Sequence, residues 1–412
     1  MALLRGLRPG AQRDKDVRER YLRRMVRRLR RLPVACLLGP CALACNDKAS
    51  SQPPRAPVAS ETAAAAAAKP AAPTGPLPKL SIRVAGNKLV DGTGAFIRLR
   101  GANHSGTEYA CIQGWGIFSG PGDESVFAGM QKWNMNVVRI PMNEDCWLGI
   151  NGADATHGGE AYRAAIVNWV QLAHKYNLYA ILDLSWSGPG THKAMGQQPM
   201  ADADHSLDFW KSVATTFKSD PAVVYDLFNE PFLNHQQLST DPWTCWLSGC
   251  TVTGGEDGLT GTWQSAGMQQ LIDAVRSTGA TQPVMLGGLE WSNDLSGFLA
   301  HLPKDGQLTA AFHQYRGNLC QDSICWEKSL TPIVSKVPLV TGELGDTKCD
   351  HLFTDKYLDW ADSVKASYLM WTWNAWGDPT PEACGQMQYP LIADWNGTPT
   401  PYGIAYKARL AK

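Results

Sequence analysis

VVYDLFNEPF, residues 223–232, is an apolar and aromatic run that ends on Asn229, Glu230 and Pro231. A near-continuous apolar strand is the signature of a parallel sheet covered on both faces, and a carboxylate at its end needs a reason to be there. Short runs of the same kind recur at 97–103, 137–143, 179–185, 283–290, 310–315, 338–343 and 367–373. Between them lie amphipathic stretches of helical period, among them 123–134, 160–177, 206–219, 262–279 and 353–366. Strands alternating with helices predict an α/β fold, and eight of them predict a single closed (β/α)8 TIM barrel. A doubly wound sheet is the alternative. It is disfavoured because RGANHSGTEYACIQG (100–114), after the first strand, has neither a dinucleotide fingerprint nor a phosphate loop.

The barrel explains the carboxylate. Barrel strands deliver their C-terminal ends to the catalytic face, so polar residues that close apolar runs are candidates for chemistry: Arg139, Asn229, Glu230, Glu290, His313, Tyr315, Glu343, Trp371 and Trp373. Glu230 and Glu343 end the fourth and seventh strands and should face each other across a cleft. Two such carboxyl groups suit glycoside hydrolysis, one as acid and one as nucleophile or base. Glu290, Glu144 and Asp145 are read as solvated loop charges.

The chain around the barrel divides by composition. Residues 1–45 read as a signal-type leader, with a true start at Met25 as an option: VRRLRRLPVACLLGPCALAC (26–45) is basic, then apolar over too short a length to span a bilayer. It closes on Ala42-Leu43-Ala44-Cys45, an imperfect lipobox that would make Cys45 a lipidated terminus. Residues 46–78 are rich in Ala, Pro, Ser and Thr and are expected to be a disordered tether. Residues 79–412 are expected to form the catalytic barrel, entered through a β-hairpin at 80–103 that turns at Asp91-Gly92 and carrying loop insertions such as 234–258. The expected product is an exported, monomeric protein, secreted or on the cell surface.

Charge and cysteine usage narrow the partners. Thirty-eight basic and 38 acidic residues give formal neutrality, so nucleic acid is not an expected ligand, and a membrane enters only through the lipid. Eight cysteines lie beyond the leader, an even number suited to an oxidising compartment. Their spacing and loop placement predict Cys111–Cys146, Cys245–Cys250, Cys320–Cys325 and Cys349–Cys384. A zinc site is the competing reading, but no pair has knuckle spacing, and no metal or organic cofactor is expected.

With these residues in place, 80–405 resembles glycoside hydrolase family 5, the cellulase-type retaining glycosidases. The resemblance implies Glu230 as acid/base, Asn229 as partner of the sugar 2-hydroxyl, Glu343 in VTGELG (340–345) as nucleophile, and Arg139 as the group that keeps it ionised. It assigns His313 and Tyr315 to the site and an aromatic platform to Trp371 or Trp373. It implies double displacement on a β-linked polysaccharide or oligosaccharide, β-1,4-glucan first and β-mannan next. Exo action, transglycosylation and a catalytically dead carbohydrate-binding barrel stay open. Trp115, Trp147, Trp186, Trp243, Trp246, Trp291 and Trp376 are candidate platforms in the same loops. One departure stands out: the family usually places His at the end of strand three, where this chain has Ser185, and His104 or His192 are the candidates to fill the gap.

Overall fold

The computed structural model describes residues 80–346, 351–376 and 390–412. Its first strands, β1 (Arg83–Ala85), β2 (Lys88–Val90) and β3 (Phe96–Ile97), form a small antiparallel sheet. The β2–β3 hairpin turns at Asp91, whose Oδ1 accepts the amides of Thr93 and Ala95 at 2.9 and 3.0 Å. An additional hairpin joins β1 to β2 through Gly86, at φ 63°.

The barrel strands are β4 (Arg100–Asn103), β5 (Val137–Asn143), β6 (Tyr179–Trp186) and β7 (Val223–Asp226), followed after the insertion by four more. The insertion contributes β8 (Gln237–Leu238), β9 (Thr251–Thr253) and β10 (Thr262–Gln264), which form their own three-stranded sheet. The second half of the barrel is β11 (Val284–Gly287), β12 (Leu308–Tyr315), β13 (Leu339–Gly345) and β14 (Ser367–Met370). The eight strands pair in parallel and close, β14 onto β4 and β7 onto β11. All eight expected strands are present, and the fold is a (β/α)8 barrel.

Helices cover the outside where the 3.6-residue period predicts them: α1 (Ser125–Lys132), α3 (Glu160–Lys175), α4 (Ser206–Phe217), α6 (Met268–Ser277) and α7 (Leu352–Ser363). The expected helix at 262–279 begins only at Met268, because 262–264 is β10. Among the described α-helices of five residues or more, three escape the periodicity reading: α2 (Glu144–Leu148), α5 (Pro242–Ser248) and α8 (Pro401–Leu410). Each starts on a side-chain cap, Asn143, Asp241 and Thr400, that accepts an amide of its first turn.

The core sits low in the barrel. Val137, Ile181, Val224, Met285, Ala311, Val340 and Leu369 pack together inside it, with Ile82 and Leu89 of the N-terminal sheet against them. Ile82 N donates to Pro221 O and Val84 N to Gln307 Oε1, both at 2.8 Å, so this sheet closes the N-terminal mouth. Chemistry is left to the other end.

Candidate active site

The side chains one step up the strands from the apolar plug are polar. Arg139 of β5 is fully buried and is the hub. Its Nη1 donates to Glu343 Oε1 and Asn103 Oδ1, each at 3.0 Å, its Nε to Asp226 Oδ2 at 2.9 Å, and its Nη2 to Asn229 Oδ1 at 2.7 Å. Asp183 Oδ1 lies 3.0 Å from Nη2 without hydrogen-bond alignment. Burial pulls the guanidinium toward neutrality, but Asp183, Asp226 and Glu343 outweigh it and hold the cation. Three carboxyl groups around one cation would leave the barrel core anionic. Burial pushes Asp183 well above the ordinary aspartate value, Asp226 and Glu343 add to the rise, and Arg139 opposes it.

Glu343 receives Tyr315 Oη on its other oxygen at 2.5 Å. Burial raises its pKa above the ordinary value; the His313, Arg139 and Tyr315 contacts oppose the rise, and Glu230 adds to it. His313 Nδ1 is 3.0 Å from Glu230 Oε1 and 3.7 Å from Glu343 Oε2. Burial holds this histidine neutral, with a pKa lowered to about 4, and in the tautomer that carries its hydrogen on Nδ1 it donates between the two acids. A Cβ on Gly342 would come within 2.9 Å of His313 Nε2, which is why VTGELG has glycine before its glutamate.

Glu230, His313 and Glu343 each offer one ligand atom within 4.8 Å of the others. That is the only His/Cys/Asp/Glu group of three close enough to share a cation among the described residues. It is poorly suited to one, because Arg139 already neutralises Glu343 from 3.0 Å and Tyr315 donates to it.

Some expected residues lie elsewhere. His104 is fully buried outside the cluster, edge-on to Trp169 and stacked on Trp395, with neither ring nitrogen hydrogen-bonded. Burial lowers its pKa to about 3, and its ring partners are Trp169 and Trp395 rather than a catalytic group. It does not fill the space beside Ser185. His192 is half-buried in the loop after β6. Trp373 is also fully buried, packed on Trp133 with ring centroids 4.9 Å apart, so of the two expected platform residues only Trp371 keeps any surface, 7%. Trp147 and Trp246 are fully buried core residues, and Trp243 stacks on His301. Glu144 and Asp145 are buried rather than solvated; Ser206 Oγ and Gly188 N bond Glu144, and Asn151 and Ala194 N bond Asp145. Glu290 is held by His235 Nε2 at 2.7 Å.

The aromatic surface that remains forms two groups. Tyr109 lies 5.6 Å from Trp115 and 6.0 Å from Trp186; Trp291 lies 5.2 Å from Phe232 and 4.5 Å from His235. The second group rides on a left-handed run, Glu290, Trp291 and Ser292, with φ of 54°, 55° and 60°. Such conformations cost energy for non-glycine residues. Here the run brings Trp291 N to Pro231 O at 2.9 Å and Ser292 Oγ to Asn229 O at 2.8 Å, against the main chain that carries Glu230.

Disulfides Cys111–Cys146, Cys245–Cys250 and Cys320–Cys325 are formed as expected. The Cys349–Cys384 pairing and the Cys45 anchor lie outside the described residues. The reading of the sequence did not single out Asn103, Glu108, Asp183, Asp226 or Gln197. Asp183 and Asp226 could have been found, since each sits an even number of residues before a strand-end polar position, on the same inward face.

Two opposed carboxyl groups, a buried arginine and a neutral histidine at the C-terminal mouth of a (β/α)8 barrel define a glycosidase site, and the comparisons agree. The family description "Cellulase (glycosyl hydrolase family 5)" matches residues 90–378. The chain belongs to glycosyl hydrolase family 5. It is 26% identical over 244 residues to Endoglucanase C of Evansella cellulosilytica, covering 56% of this chain and 26% of that protein. To Cellulase CelDZ1 of Thermoanaerobacterium sp. it is 23% identical over 215 residues, 51% of this chain and 46% of that one. The chain thus spans less than half the length of these relatives. Among solved structures, a Saccharophagus degradans β-glucanase in complex with cellotetraose superposes with a TM-score of 0.59 at 20% identity, over 80% of this chain and 93% of that one. The catalytic domain of Thermobifida fusca endoglucanase Cel5A gives 0.55 at 16%, over 81% and 97%.

Proposed function

We propose that this chain hydrolyses β-1,4-linked glucan by double displacement with net retention. The observation that carries the mechanism is the separation of the two carboxyl groups, with oxygens no more than 4.8 Å apart. Retaining enzymes keep their pair roughly 5–5.5 Å apart, whereas inverting enzymes leave about 6.5–9.5 Å for a water.

Glu343 attacks the anomeric carbon from a position fixed by Arg139 and Tyr315, which hold one oxygen each. Both donors favour the ionised form, against burial. Glu230 protonates the departing glycosidic oxygen, and its Oε1 is oriented by the His313 donor. In the second half-reaction Glu230 takes a proton from water, which opens the glycosyl–Glu343 ester and returns both carboxyl groups to their starting states. Asn229, its amide polarised by Arg139, is placed to meet the sugar 2-hydroxyl.

The substrate assignment rests on the relatives, which are named endoglucanases and a cellulase, and on aromatic surfaces that stack sugar rings. Lipid anchoring through Cys45, export and a monomeric state belong to the same proposal, from the sequence of the leader. The test is a panel of β-1,4-glucan, β-mannan and xylan with sizing of the products. Release of cello-oligosaccharides, with the other polymers at least ~10-fold slower, is expected; a preference for mannan would move the substrate, and binding without cleavage would make the barrel a carbohydrate-binding module.

A further inference from the structure

Ser185 leaves the sugar side of Asn229 without the usual histidine, and another side chain has come in from the loop after β6. Gln197 is buried, 8% exposed. Its Oε1 accepts Asn229 Nδ2 at 2.5 Å, and its Nε2 donates to the main-chain oxygen of Glu230 at 2.7 Å. Ser185 itself lies against Asp183 lower in the barrel.

The direction of this chain of bonds is fixed at both ends. Arg139 can only donate, so the Asn229 atom facing Nη2 at 2.7 Å is the oxygen. The Glu230 carbonyl can only accept, so the Gln197 atom facing it is the nitrogen. The remaining pair is then Asn229 Nδ2–H to Gln197 Oε1, and neither amide can flip without losing a bond at each end. One hydrogen on Asn229 Nδ2 is left to point at substrate. The next residue, Gln198, exchanges bonds with the main chain of Glu256, its Oε1 accepting Glu256 N at 3.1 Å, so the insertion after β7 buttresses the same loop.

We propose that Gln197, anchored by its bond to the Glu230 main-chain oxygen, is a positioning residue that locks the Asn229 amide toward the sugar 2-hydroxyl. The inference rests on the retaining-glycosidase reading of the site. Gln197 touches no reacting atom, and its effect passes through Asn229.

The experiment measures kcat/KM for an aryl β-cellobioside and its 2-deoxy analogue at the cleaved sugar, with the wild type, Gln197→Ala, Asn229→Ala and the double variant. Gln197→Ala is expected to lose ~10–100-fold on the 2-hydroxy substrate, mostly in kcat, and less than ~3-fold on the 2-deoxy substrate or in the Asn229→Ala background. Gln197→Glu keeps the acceptor facing Asn229, and should retain most of the wild-type preference for the 2-hydroxy substrate even if Gln197→Ala folds poorly. Equal losses on both substrates and in both backgrounds, or no loss at all, overturn the proposal. If the wild type or Asn229 fails to distinguish the two substrates, the parent reading of the site fails and takes this one with it; if they behave as expected and Gln197→Ala is silent, only this one falls.

Discussion

Burial sets the pH behaviour of Glu343. Its pKa is raised above the ordinary glutamate value, and the nucleophile must be ionised, so kcat/KM should fall on the acid side as pH drops through that raised value. A pH profile whose acid limb lies below 4.5 would contradict the burial argument. Glu343→Gln should remove nearly all turnover on every substrate, while Glu230→Gln should cost ~10²–10⁴-fold with poor leaving groups and much less with activated ones; circular dichroism of both should match the wild type. Azide should partly restore a Glu230→Ala variant on an activated glycoside. Glu108, buried in the loop after β4 and bonded by Ser105 Oγ and Gly106 N, has its pKa raised to about 7, chiefly by burial. Its folded value lies above its unfolded one, so its contribution to stability is complete below about 4.5 and is lost as pH rises toward 7. Glu108→Gln should therefore flatten the decline in melting temperature over that range; parallel melting curves would show that Glu108 does not hold the proton. The catalytic pair was legible because each glutamate closes an apolar strand. Asp183 and Asp226 sit inside apolar runs and are marked only by their even spacing from a strand-end polar residue, and Gln197 sits in a loop, where no period marks an inward side chain.

The loops that frame the site are held by covalent and capped elements of unequal weight. Cys111–Cys146 spans 35 residues and ties the loops after β4 and β5, whereas Cys245–Cys250 and Cys320–Cys325 each span 5. On loop entropy alone, losing the first should cost ~1.7 kcal/mol more than losing either short one. Denaturant unfolding of the three Cys→Ser pairs checks the order, and equal losses would show that the short links carry native-state strain or contacts instead. At this scale the sequence was read well where an element is long. Strands β5 and β6 match their expected spans to within a residue, and α3 and α4 follow their amphipathic period. It was read poorly where tertiary packing or a cap decides. Strand β7 ends at Asp226, although Leu227 N still bonds Met285 O and Asn229 N bonds Leu184 O, each at 3.1 Å, and α2 and α5, with 5 and 7 residues, are too short to show a period. Asp241-Pro242 was a readable helix start all the same, an N-cap followed by proline at the first helical position.

The molecule as a whole separates stability from chemistry along the barrel axis. The N-terminal sheet and the apolar plug close one mouth, and the Arg139 network fills the other with buried charge. Composition and strand count carried that architecture, since eight apolar runs alternating with helices close most simply as a barrel. The depth of the polar layer was not legible, because which inward residues share a level depends on strand stagger. The proposed anchor is tested by replacing Cys45 with Ser in the full chain: release from the membrane fraction is expected, and unchanged distribution would exclude lipidation there. The central claim, that Glu343 forms a covalent glycosyl ester in a retaining hydrolysis, is tested most directly by incubation with a 2-deoxy-2-fluoro cellobioside bearing a good leaving group, followed by peptide mapping by mass spectrometry. One added glycosyl unit on Glu343 is predicted; an adduct on another residue, or turnover to the inverted anomer with no adduct, would contradict it.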